Sequence, residues 1–76
     1  MEAVEKGFDY SKLKGRIVEK FGTQAAFSKA FGMSENSFSL KMNNKSRFTT
    51  DDIVKIVAML DIPIDEIGLY FFTPKV

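Results

Sequence analysis

Neither cysteine nor histidine occurs among the 76 residues, and tryptophan is missing as well. Without cysteine there is no disulfide and no thiolate chemistry, which suits a reducing compartment. Without either residue, Cys/His zinc sites, Ser-His-Asp and Cys-His nucleophilic machinery and imidazole acid–base catalysis are excluded. No glycine-rich phosphate loop stands in for them. The expectation is a protein that is not an enzyme, with no cofactor, no metal and no small-molecule ligand. Long apolar runs are lacking too. The longest, Ile67 to Phe72, is far short of the roughly 20 residues that a membrane-spanning helix requires. Met1 to Lys6 mix charge with alanine and valine and form no apolar signal core. The expected setting is therefore cytoplasmic, in one small domain. At this length a core rarely supplies more than ~3–5 kcal/mol.

What the chain does have is phenylalanine, eight in all, within a 45% apolar composition. It also has a polarised charge pattern hidden inside a net charge of +1. Residues 1–9 carry one base against three acids, a net of −2. Residues 10–48 carry eight bases against two acids, a net of +6, and residues 49–76 carry two against five, a net of −3. Such a distribution fits a face aimed at a polyanion, or simply charged helix surfaces.

Residues 1–8 show no helical stripe and read as an N-terminal extension that frays, leaving residues 9–76 as the single domain. Asp9 is a candidate N-cap, followed at helical spacing by Tyr10, Leu13, Ile17 and Phe21, with Gly22 as the stop. Thr23 caps a second helix, Gln24 to Phe31, with Phe27, Ala30 and Phe31 as its buried stripe, and Gly32 ends it. Ser34 caps a third helix, about Glu35 to Met42, with Phe38 and Met42 inward. Asn43 to Arg47 form a polar loop. Thr49 opens a fourth helix, with Asp52 three residues on completing a weak capping box. Its stripe is Ile53, Ile56, Val57 and Leu60. After Asp61 and Pro63 a short fifth helix runs roughly from Ile64 to Tyr70, and the tail suits a short C-terminal strand or an extended end packed on the core. The fold class is all-α with five short helices.

Thr23 to Phe38 carry the informative pattern. Two crossing helices need a tight turn with a residue at positive φ, which Gly32 supplies, and a small residue at the close approach, which Ser28 supplies. Phe27, Phe31 and Phe38 would hold the crossing, and the third helix presents an uncharged, small face suited to a major groove. From Tyr10 to about Ile67 the chain resembles the Cro/repressor-type (Xre) helix-turn-helix domains of temperate bacteriophages. The Thr-Gln start, Gly turn, Ser cap, Asn-Asn-Lys loop and Leu60-Asp61-Ile62-Pro63 boundary stand in the family's order. The resemblance implies a five-helix, lambda-repressor-like helix-turn-helix domain. It implies sequence-specific binding of double-stranded DNA by a small Cro-like phage or prophage transcription regulator in a bacterial host. One position departs: the family has an apolar residue three after Phe38, where this chain has Lys41. Either Met42 takes over that contact or the end of the helix turns.

On that resemblance Glu35, Asn36, Ser39 and Leu40 are the expected base-reading residues, since asparagine pairs with adenine and glutamate accepts from cytosine. Glu35 is equally well an acid complementing the helix dipole, and Leu40 a surface packing residue. Thr23, Gln24, Lys41, Asn43, Asn44, Lys45, Ser46 and Arg47 are the expected phosphate contacts, and Lys14 and Arg16 are weaker ones. The expected species is a homodimer on a pseudo-palindromic operator. Leu69, Tyr70, Phe71 and Phe72 are the candidate dimer contact, with folding back onto helices 1 and 5 the alternative for two of them. The rival function is a protein-interaction module that keeps the helix-turn-helix fold and uses its basic face or the Leu69–Phe72 patch on a protein partner.

Overall fold

Helix starts fall where short polar side chains can receive free backbone N–H groups. In the computed structural model, which describes residues 7–75, α1 spans Ser11–Phe21. The Asp9 carboxylate accepts from the Ser11 N–H at 2.9 Å and the Ser11 hydroxyl at 2.6 Å. It therefore acts one residue ahead of the flanking position, which Tyr10 occupies without a side-chain cap. Those hydrogen bonds hold the Asp9 carboxyl below its ordinary pKa. α2 (Gln24–Phe31) is capped by Thr23, and α3 (Glu35–Met42) by Ser34. α4 (Thr50–Leu60) opens on a full capping box between Thr49 and Asp52. A single 3-10 turn, Ile64–Glu66, runs into α5 (Ile67–Phe71). The expected all-α, five-helix architecture is what the described residues form.

The turn between α2 and α3 rests on Gly32 at φ +97°, a left-handed conformation that costs a side-chain-bearing residue. Its N–H and that of Met33 both close onto the Ser28 carbonyl. Ser28 is itself buried and turns its hydroxyl back to the Ala25 carbonyl at 2.9 Å. Ser28 is thus inward, whereas Ala30, expected in the buried stripe, is exposed.

α1 packs against α2, α4 and α5, and α2 against α3. Leu13 and Ile17 meet Phe27, Phe31, Phe38, Ile56, Leu60 and Phe71 in one core. An unbroken series of rings threads it: Phe21–Phe27 at 4.9 Å, Phe27–Phe38 at 5.5 Å, Phe38–Phe48 at 5.9 Å and Phe48–Phe71 at 5.7 Å. Near-perpendicular ring pairs of this kind add to simple burial. Phe48 therefore belongs to the core from its place in the loop.

Several basic side chains close helix C-termini. Arg16 donates to the carbonyls of Leu60 at 2.9 Å and Asp61 at 3.1 Å. Lys20 pairs with the Asp61 carboxylate at 3.0 Å, and this bond keeps that carboxyl below its ordinary pKa. Lys55 reaches the Phe31 carbonyl at 2.6 Å and lies over the Phe31 ring. Arg16 and Lys55 thereby satisfy carbonyls that helix geometry leaves free, while Lys20 pairs with a side-chain carboxylate at the same end of α4.

Residues 7–9 and 73–75, at the two ends of the described chain, are stitched together. Asp9 N–H donates to the Thr73 carbonyl at 2.8 Å, and Lys75 N–H to the Gly7 carbonyl at 3.2 Å, around one antiparallel bridge between Phe8 and Pro74. The C-terminal segment is thus an extended tail with a bridge inside its own chain. Of residues 1–8, expected to fray, only Gly7 and Phe8 are described, and both are held. Residues 1–6 lie outside the described residues.

Candidate functional site

Two surfaces gather half of the candidate site residues named above. The first is a polar cleft of about 290 Å3 at the junction of α1, the α2 start and the α3 end. Gln24, Ser39, Asn43 and Asn44 line it together with Lys14 and Lys75. Thr23 lies exposed at the α2 start, its hydroxyl engaged with the Ala26 N–H at 3.0 Å. Glu35, Asn36 and Leu40 stand exposed on α3. That exposed face carries no basic side chain among its residues, because Lys41, the only lysine on the helix, turns inward.

Lys41, expected among the phosphate contacts, is engaged within its own chain. Its ammonium donates to the Arg47 carbonyl at 2.7 Å and pairs with Asp52 at 3.1 Å, with side-chain exposures of 15% and 17%. It thus fills the position at which the resembling family is apolar, its charge answered by a carboxylate. Met42 also packs on the core, half-buried. Asn44 is engaged too. Its carboxamide accepts from the Phe8 N–H at 3.0 Å and donates to the Phe8 carbonyl at 2.9 Å, mimicking a strand partner. Its φ of +64° is one that asparagine tolerates, and a Cβ on Gly7 (φ +70°) would collide with its side chain. Asn43 donates to the Ser39 carbonyl at 2.9 Å. Replacing Asn44 by alanine removes both bonds and leaves a strained φ, so a loss of about 1–2 kcal/mol is expected. Amide hydrogen exchange would show it as lost protection at Asp9 and Lys75; unchanged protection there would mean that the ends are held by other contacts.

Arg16, a weaker expected phosphate contact, is also engaged internally, its guanidinium capping α4. Of the eight basic residues between positions 10 and 48, four are engaged internally: Lys12 over the Tyr70 ring, Arg16, Lys20 and Lys41. Lys14, Lys29, Lys45 and Arg47 have no ion-pair partner among the described residues.

The second surface is a groove of about 650 Å3 bounded by the chain ends, the α3–α4 loop and α5. Tyr10, Phe48, Ile53 and Phe71 form its base, Phe8 and Phe72 a wall, and Ser46 and Arg47 its lip. The Phe8 and Phe72 rings meet edge-on at 5.6 Å, and both are exposed, Phe72 by half. Burial pushes the Tyr10 phenol up, and the nearby Arg47 charge partly opposes this. No sequence spacing points to this groove, because its walls come from opposite ends of the chain. Of the four residues expected at a dimer contact, Tyr70 and Phe71 are buried in their own chain, while Leu69 and Phe72 stay exposed. Among the described residues no cluster of acidic side chains is fit to hold a metal, and no helix is long and apolar enough to cross a membrane.

A family model described as "protein of unknown function (DUF739)" matches residues 6–74. The chain belongs to that family. It is also similar to the solution structure of the modulator of repression (MOR) of the temperate bacteriophage TP901-1 from Lactococcus lactis. The two are 44% identical with a TM-score of 0.80, over 95% of this chain and 97% of that one. No curated protein sequence matches. This DUF739 chain thus shares its five-helix fold, nearly end to end, with a phage regulatory protein.

Proposed function

We propose that this protein modulates phage repression by binding a repressor protein, with its α2–turn–α3 unit kept as a scaffold. The similarity to a modulator of repression along nearly the whole chain carries the reading. Charge placement supports it. Half of the central basic side chains close helices or pair internally, and the exposed α3 face is Glu35, Asn36, Ser37 and Leu40. A lone DNA reader relies on cations facing phosphate, and that set is thin here.

Independent operator reading, with Asn36 on a base and Gln24, Lys45 and Arg47 on phosphates, is the competing account. The capped α2 and α3 with their Gly32 turn favour it. Calorimetric titration of the protein with a temperate-phage repressor protein separates the two. The expected result is saturable binding at fixed stoichiometry, with the protein alone holding operator no tighter than random duplex. Enrichment of a motif from a random duplex pool by the protein alone would overturn the proposal. So would a log K against log salt slope of several units, at about −0.9 per phosphate.

A further inference from the structure

We infer that the groove between the chain ends and the α3–α4 loop is the docking site for a protein segment that presents a large apolar side chain beside a carboxylate. The inference rests on the protein-binding reading above and assigns it a place and a chemistry. The groove's base is aromatic and aliphatic, from Tyr10, Phe48, Ile53 and Phe71. The Tyr10 and Phe48 rings meet at 5.3 Å, and Phe48 and Phe71 at 5.7 Å, so the base is a fixed set of edges and faces. Pockets of roughly 300–1,000 Å3 take a ligand or a few anchoring side chains, and this one has about 650 Å3.

Charge selects the occupant. Among the described residues no carboxylate lines the groove, and Arg47 is the one full charge that does. Its guanidinium has no ion-pair partner among the described residues. A fork of donors beside an apolar base suits an Asp or Glu next to a Leu, Ile or Phe. The apolar surface also continues past the groove, from Phe72 to Leu69, both about half exposed. A small molecule would leave that extension uncovered, whereas a partner helix or strand covers both. Phe8 and Phe72 hold each other at the edge of the groove, and Phe8 is in turn fixed by Asn44 and Pro74. The wall is therefore built before a partner arrives, which lowers the ordering cost of binding.

The test is selection of short random peptides on the immobilised full chain, with Arg47→Glu protein as the counter-target. Enriched peptides should pair Leu, Ile or Phe with Asp or Glu. Synthetic copies should bind Arg47→Glu and Phe72→Ser about tenfold or more weakly, with unchanged far-UV circular dichroism. Peptides lacking an acid, equal binding to both variants, or no enrichment at all would overturn the inference. Three further outcomes would also overturn it. Enrichment appearing only after deletion of residues 1–6 would make the chain's own terminus the occupant. Self-association abolished by Phe72→Ser would make it a second copy. Displacement of the peptides by short single-stranded DNA would make the aromatic wall a base-stacking site. A parallel titration with the repressor keeps the two ideas separable. Repressor binding unaffected by both variants leaves the function standing and removes the groove. Acidic peptides selecting the groove while the repressor binds neither form do the reverse.

Discussion

Phe38→Ala is expected to leave most of the molecules unfolded at room temperature. Phe38 is fully buried, and its ring meets those of Phe27 at 5.5 Å, Phe48 at 5.9 Å and Phe31 at 6.3 Å. It is the one buried side chain of α3, so the helix has no second anchor of comparable size. Truncating a buried phenylalanine costs about 3–5 kcal/mol through lost transfer energy and the cavity left behind. A domain of this length has about the same amount in total. Far-UV circular dichroism with urea titration would report it as a weak helical signal with no folded baseline. Phe72→Ala is the contrast. With half of its surface already in water, it should cost less than about 1 kcal/mol. A cooperative urea transition for Phe38→Ala with a midpoint close to that of wild type would show that Phe27, Phe31 and Phe48 close over the gap.

Helix boundaries were legible because they depend on local chemistry. Thr23, Ser34 and Thr49 each place an oxygen within reach of an N–H three residues on, and Gly32 supplies the one conformation that the turn needs. Periodicity likewise located Leu13, Ile17, Ile56 and Leu60. What order along the chain does not encode is the partner of a charged group. Lys41, Arg16 and Lys20 read as free cations until α4 and its two ends are brought beside them. Asn44 reads as a loop residue, although Phe8, 36 positions away, occupies its carboxamide. The aromatic groove is the same kind of feature. Phe8, Phe48 and Phe72 have no common period, and only the closing of the two ends brings them together. For the same reason, order along the chain does not show which bases of the +6 stretch are engaged internally.

Asp52→Asn should destabilise the protein by about 2 kcal/mol, and adding Lys41→Met should recover most of that loss. Asp52 has two functions. It accepts from the Thr49 N–H at 3.0 Å as half of the capping box, and it pairs with Lys41 at 3.1 Å. Burial by itself would raise its pKa. The Thr49 N–H, the Lys41 hydrogen bond and the Lys41 charge together outweigh that and hold it below the ordinary aspartate value. A carboxyl lowered in this way contributes stability that is fully present above about pH 4 and is lost as pH falls through the lower folded-state value. Asparagine preserves an acceptor for Thr49 but removes the charge. The Lys41 ammonium then keeps only the Arg47 carbonyl in a mostly buried place. Removing one member of such a pair is costly, whereas replacing both by groups of similar volume is often close to neutral. Methionine also restores the apolar character that the resembling family has at this position. At about 4–8 °C per kcal/mol for a domain of this size, the single variant should melt about 10 °C lower and the double variant within a few degrees of wild type. The acid limb of the stability curve should also flatten in both. If Asp52→Asn melted with wild type and kept the same acid limb, the Lys41–Asp52 pair would contribute nothing beyond the cap, and α3 would be held chiefly by the packing of Phe38 against its aromatic neighbours.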